Sequence, residues 1–141
     1  MTDTILINIC FSSFIIIMII FYQNNIIRNT FDMVSAIIAI IVSVFILCFK
    51  NIQILDIGHM LYNMGFLIPV AIFSKNKLFL TLNMIMLCNI IFSRKYYGEC
   101  VLNKKQNKSG FFTELNASLQ INWDYIYPAI LIITVYRLIH L

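Results

Sequence analysis

Apolar residues run along this chain in five long blocks, at residues 5–22, 31–49, 52–73, 78–97 and 125–141. Short polar turns separate the first four, and one long polar stretch, 98–124, precedes the fifth. At a rise of about 1.5 Å per residue, roughly 20 helical residues cross a hydrocarbon core of about 30 Å. The pattern predicts an all-α integral membrane helical bundle of four to five transmembrane helices in a single domain over 1–141. The fifth block is the alternative candidate for a re-entrant or interfacial helix. Within 98–124, Phe111, Phe112, Leu115 and Leu119 follow helical spacing, which predicts a short interfacial amphipathic helix. Trp123, Tyr125 and Tyr127 then read as an aromatic anchor at the membrane boundary.

The third block departs from plain hydrophobicity. Gln53, Asp56, His59 and Asn63 open it, and at about 100° per residue they fall within an arc of roughly 120°. Gly65 and Pro69 stand four apart further on. A proline cannot donate to the carbonyl four residues back and its ring crowds that carbonyl, so the spacing predicts a kink near 65–69, with Gly65 relieving the crowding. Lys50 and Asn51 form a tight turn that makes blocks two and three an antiparallel hairpin. Asn29 or Thr30 is placed to cap the second helix, with Asp32 in its first turn.

Composition sharpens this reading. The 141 residues are 61% hydrophobic and 11% charged, against about 25% charge in a soluble domain. So few charges cannot cover a soluble surface. The net charge of +4 sits mostly in the turns, a pattern that fits phosphate headgroups and the positive-inside bias and not nucleic acid. With five spans, Lys50, Arg94, Lys95, Lys104, Lys105 and Lys108 share the N-terminal side, while Arg28, Lys75 and Lys77 lie opposite with Arg137 close by. This predicts a cytoplasmic N-terminus. Cys10, Cys48, Cys88 and Cys100 show no paired spacing, so no disulfide framework, structural metal site or cofactor is expected.

The same topology brings polar residues of several segments to one face. Asn8, Ser12, Gln53, Asp56, His59, Asn63 and Asn89 form the expected polar pocket, with Cys100 in the adjacent loop. Asp56 and His59 are three apart, close enough for the carboxylate to hold the imidazole. Such a pair serves as a proton relay, a metal ligand set or a general base, or it is an interfacial pair tolerated below the headgroups. Asn63 and Asn83 are expected to support an interhelical hydrogen bond between the third and fourth spans, or to line a path for water or ions. Arg137 is expected to snorkel to the far interface and His140 to be solvated there. The basic residues around Cys100 favour its thiolate, and a juxtamembrane cysteine is also a candidate for palmitoylation. Arg94, Lys95, Lys104, Lys105 and Lys108 are the candidate headgroup-binding set, each contributing about 1 kcal/mol near an anionic surface.

Leu55-Asp56-x-x-His59 at the start of one block, followed by Cys100-Val101-Leu102-Asn103-x-x-Gln106 after the next, resembles an uncharacterised family of small four-span membrane proteins. That family carries an Asp and a His on one helix, a second His on the next, and C-P-L-T-x-x-E after it. Val101, Asn103 and Gln106 stand where the family has Pro, Thr and Glu, and the second His has no counterpart beyond Asn83 or Asn89. The resemblance covers roughly residues 50–106 and implies a membrane site built from Asp56, His59 and Cys100. It implies no activity.

No nucleophile–base–orienter set, phosphate-binding loop or zinc-protease motif is present. The expected function is therefore a small multi-pass membrane component without catalysis of its own, whose partners are the lipid bilayer and another membrane protein or a second copy. Two alternatives remain at this stage. One is an oligomeric channel or proton-conducting protein built around Asp56, His59, Asn63 and Asn83. The other is a small enzyme acting on lipid through Asp56, His59 and Cys100.

Overall fold

The computed structural model describes residues 2–48, 52–97, 114–115 and 118–141. Lys50, Cys100, Lys104, Lys105, Lys108 and the 101–106 part of the family-like motif lie outside those residues, as do Phe111 and Phe112 of the expected interfacial helix. The described chain is all helical, without a strand. Helix α1 spans Thr2–Gln23, α2 Thr30–Cys48 and α3 Ile52–Tyr62. A π-helical turn at Asn63–Leu67 joins α3 to α4, Ile68–Phe73, and α5, Lys77–Tyr97, and α6, Trp123–His140, complete the bundle. Among the described residues, three helical stretches are long and apolar enough to cross a membrane: Thr30–Cys48, Gln53–Phe73 and Lys77–Tyr96.

Local chemistry fixes where each helix stops and starts. Asn25 takes a positive φ of 54° just after α1. Ile26 N–H donates to Phe21 O and Asn25 N–H to Tyr22 O, so the last carbonyls of α1 are satisfied by a left-handed cap. Asn29 caps α2, its Oδ1 accepting from Asp32 N–H at 2.7 Å while its Nδ2 donates to Asp32 Oδ2 at 2.8 Å. Asn76 caps α5 through Leu78 N–H and Phe79 N–H. Its Nδ2 donates across to Ile26 O at 2.6 Å and so ties two loops together. Asn122 caps α6 by accepting from Asp124 N–H.

The expected kink is a π turn. Ile68 N–H donates to Asn63 O, five residues back, and the next residue, Pro69, has no N–H to give. Gly65 also lies at a close approach between helices. A Cβ there would come within 2.8 Å of Ile38 Cγ2 on α2. Gly58, two turns earlier, approaches Val42 and Ile46 of the same helix. The two glycines therefore bring α3 and its π turn close against α2, as small residues do where helices must approach.

The core is aromatic at its centre. Phe14 meets Phe66 edge-on with ring centroids 5.3 Å apart, Phe66 meets Phe79 at 5.4 Å, and Phe11 and Phe14 flank Tyr62 at 6.0 and 5.9 Å. These contacts tie α1, α3, the π turn and α5 together, at about 0.5–1.5 kcal/mol for each well-placed pair beyond the area it buries. Helix α6 packs chiefly on α5, running antiparallel to it, and parallel to the π turn and α4.

Side chains of α6 make polar contacts with the other helices. The expected hydrogen bond between the third and fourth spans is made by Asn83, and Asn63 turns to α6. Asn63 Oδ1 accepts from Tyr127 OH at 3.1 Å, while Asn83 Nδ2 donates to Leu67 O at 3.1 Å and to Thr134 Oγ1 at 3.4 Å. Arg137 is half-buried and engages backbone at the end of α4. Its guanidinium donates to Ala71 O at 2.9 Å and Ser74 O at 2.6 Å, the carbonyls left over where α4 ends.

Candidate functional site

The residues expected to form one polar pocket separate by exposure. Asn8, Ser12, Gln53 and Asn89 are exposed, Asp56 and Asn63 are buried, and His59 is half-buried. Asn63 is drawn into the contact with α6 through Tyr127. Cys10 is half-buried, Cys48 and Cys88 are exposed, and all three are free thiols. Among the described residues no three His, Cys, Asp or Glu side chains come together in a metal-binding arrangement.

A different set of residues converges where α5 ends and α6 begins. The last turn of α5 carries Arg94 and Lys95, and the first turns of α6 carry Trp123, Asp124, Tyr127 and Pro128. With Ile91 they line a cleft of about 370 Å³. Helix geometry explains the convergence. Ile91, Arg94 and Lys95 are three and four apart and share a face, as do Trp123, Asp124, Tyr127 and Pro128, and the antiparallel packing of α5 on α6 sets the two faces opposite each other.

The cleft is chemically mixed. Arg94 Nε donates to Asp124 Oδ1 at 2.7 Å, with the arginine side chain 19% exposed and the carboxylate 66% exposed. The Arg94 guanidinium also lies 5.8 Å from the centre of the Tyr127 ring, within cation–π range. Trp123 stands beside Tyr127, centroids 5.3 Å apart and planes tilted by 32°. The Tyr127 hydroxyl reaches inward to Asn63, so this aromatic wall is anchored to the bundle interior. Lys95 is exposed at the rim. The hydrogen bond from Arg94, aided by its charge, holds the Asp124 carboxyl below the usual carboxylate range.

Arg94 and Lys95 were legible in the sequence as headgroup-binding candidates, and Trp123 and Tyr127 as an aromatic anchor. Asp124 was not singled out. Its signal was available: an acidic residue in the first turn of a helix that starts at Asn122. What the sequence could not supply was the pairing with Arg94, thirty residues away.

No family model, curated protein or solved structure matches this chain. The resemblance carried by Asp56, His59 and Cys100 thus has no family match beneath it, and the functional reading rests on the chain's own geometry.

Proposed function

We propose that this chain is a multi-pass membrane protein in which α1, α2, the α3–α4 rod, α5 and α6 each cross the bilayer, and that it holds a phospholipid headgroup in the α5–α6 cleft as a non-catalytic membrane component. The observation that carries this reading is the cleft itself. Two basic side chains and a tryptophan–tyrosine wall meet at one end of a bundle whose sides are covered with exposed isoleucine, leucine, phenylalanine and valine. Basic groups and amphipathic aromatics together suit the headgroup level of a bilayer. Helix α6 has 18 residues, and at about 1.5 Å each that is near the hydrocarbon thickness. The excess of Lys and Arg on the N-terminal side supports a cytoplasmic N-terminus with the cleft on that face. Arg28, Lys75 and Lys77 fall on the opposite side.

The test is retention of phospholipid. The full chain, extracted in mild detergent and washed, is expected to keep phospholipid that the Arg94→Gln/Lys95→Gln double variant loses at unchanged helicity. Equal retention by both would remove the proposal. A single-cysteine series at positions 28, 76, 95 and 141 in a background of replaced native cysteines tests the topology, with 95 expected to label from the side opposite 28, 76 and 141.

The burial of Asp56 supports a second reading, proton conduction along α3, since an intramembrane carboxylate is a functional candidate by default. It requires a pH-dependent current in liposomes that Asp56→Asn removes. A flat current at every pH ends it.

A further inference from the structure

The cleft does not carry the charge pattern that a simply anionic ligand requires. Two of its lining side chains are cationic, Arg94 and Lys95, and a carboxylate, Asp124, lies between α6 and Arg94. The Asp124 side chain gives one oxygen to Arg94 and is still 66% exposed, so negative charge faces the open cleft. A headgroup that brought only negative charge would gain from Lys95 and Arg94 and be repelled by Asp124. A headgroup that brought a phosphate and an ammonium side by side would satisfy both signs. Discrimination of this kind rests as much on the repulsive element as on the attractive one.

The aromatic wall narrows the choice of ammonium. A quaternary ammonium has no N–H to donate and is recognised by several ring faces around it. Here the Tyr127 ring already lies under the Arg94 guanidinium at 5.8 Å, which leaves Trp123 as the one remaining face among the described lining residues. A primary ammonium carries three donors and makes charge-assisted hydrogen bonds to a carboxylate, and Asp124 supplies that acceptor. Like any exposed carboxyl it is ionised throughout the neutral range.

We infer that the cleft selects a zwitterionic phospholipid headgroup with a primary ammonium, of the phosphoethanolamine type, its phosphate on Lys95 and Arg94 and its ammonium on Asp124. The inference rests on the headgroup reading above and names the ligand class of that same cleft. Headgroups with an additional negative charge, or with a glycerol in place of the amine, bind less well because Asp124 then gains no cation beyond Arg94.

The experiment is a competition. The full chain is placed in nanodiscs containing phosphatidylethanolamine, phosphatidylcholine and phosphatidylglycerol in equal parts, re-extracted, and its retained lipids are quantified by mass spectrometry. The wild type is expected to retain phosphatidylethanolamine about five-fold over its share. Asp124→Asn is expected to lose that enrichment and shift towards phosphatidylglycerol, Asp124→Glu to restore it, and Lys95→Gln to reduce retention of all three. Enrichment of phosphatidylglycerol by the wild type, or a lipid profile that Asp124→Asn leaves unchanged, overturns the inference while headgroup binding stands. Bulk lipid proportions on the wild type overturn the inference alone, whereas retention that the Arg94→Gln/Lys95→Gln double variant leaves unchanged overturns the headgroup reading and the inference with it. Should Asp124→Asn not fold, the wild-type profile and that of Asp124→Glu decide between these outcomes.

Discussion

The two ends of this bundle use an arginine in opposite ways. At the end where α4 finishes, Arg137 is half-buried and donates to Ala71 O and Ser74 O. Asn76 crosses to Ile26 O close by, and Asn29 and Asp32 close on each other. Every one of these contacts satisfies backbone or a cap, and the end is sealed. At the other end, Arg94 faces an exposed carboxylate and an aromatic ring across an open cleft. Ala71 and Ser74 are buried, so their carbonyls hold Arg137 where water has little access. The Asp124 carboxylate keeps contact with water, so its pair with Arg94 contributes less than one sealed from solvent. Sequence position alone did not separate the two: each is a basic residue in the last turn of an apolar helix.

The largest effect expected from this contrast is Arg137→Ala. It strips two charge-assisted hydrogen bonds from the end of α4 and is expected to cost about 3 kcal/mol, read as a loss of thermal stability in detergent with lipid retention unchanged in the fraction that remains folded. A neutral Arg137→Ala would mean that the sealed end is not sealed by this residue. Asn76→Ala comes next. It removes the α5 cap and the tie to Ile26 O together and is expected to cost about 1–2 kcal/mol, measurable in the same melt.

Arg94→Ala is expected to show the reverse profile. Exposed ion pairs contribute about 0–1 kcal/mol, so its melting curve stays near that of the wild type while phospholipid retention falls several-fold. A large stability loss without a binding defect would place Arg94 in the same class as Arg137 and break the comparison. The smallest expected effect is acid sensitivity at the open end. The Asp124 carboxyl is held low in the folded chain, so its contribution to stability is complete above the ordinary carboxylate pKa and is lost as pH falls through its lower folded value. The pair is exposed, so the slope is shallow. Asp124→Asn removes it, and a melting temperature followed from pH 6 down to pH 2 registers the difference.

Much of the helical layout was legible in the sequence, because uninterrupted apolar blocks bounded by Asn, Lys and Ser leave few alternatives. Block 52–73 reappears as α3, the π turn and α4, and block 78–97 as Lys77–Tyr97. The kink followed from Gly65 and Pro69 standing four apart. The close approach at Gly65 did not, because it depends on Ile38, a residue of another helix. The same limit applies to the polar side chains. Periodicity puts Asn63 and Asn83 on a helix face but does not say which neighbour that face meets, and Tyr127 and Thr134 lie sixty-four and fifty-one residues away. The cleft was half legible, as a basic group and an aromatic group, each with its own explanation. Only the antiparallel seating of α6 on α5 makes them one site.

Trp123 is the single tryptophan of the chain and lines the cleft, so its fluorescence reports that site and no other. The most direct test of the central claim is a titration of the purified full chain with short-chain phosphatidylethanolamine in detergent, set against a diacylglycerol of the same chain length. A saturable change in Trp123 emission with the phospholipid, absent with the diacylglycerol and weakened by Lys95→Gln, is the predicted result. An identical response to both lipids would contradict the account, because the cleft would then be sensing acyl chains and not a headgroup.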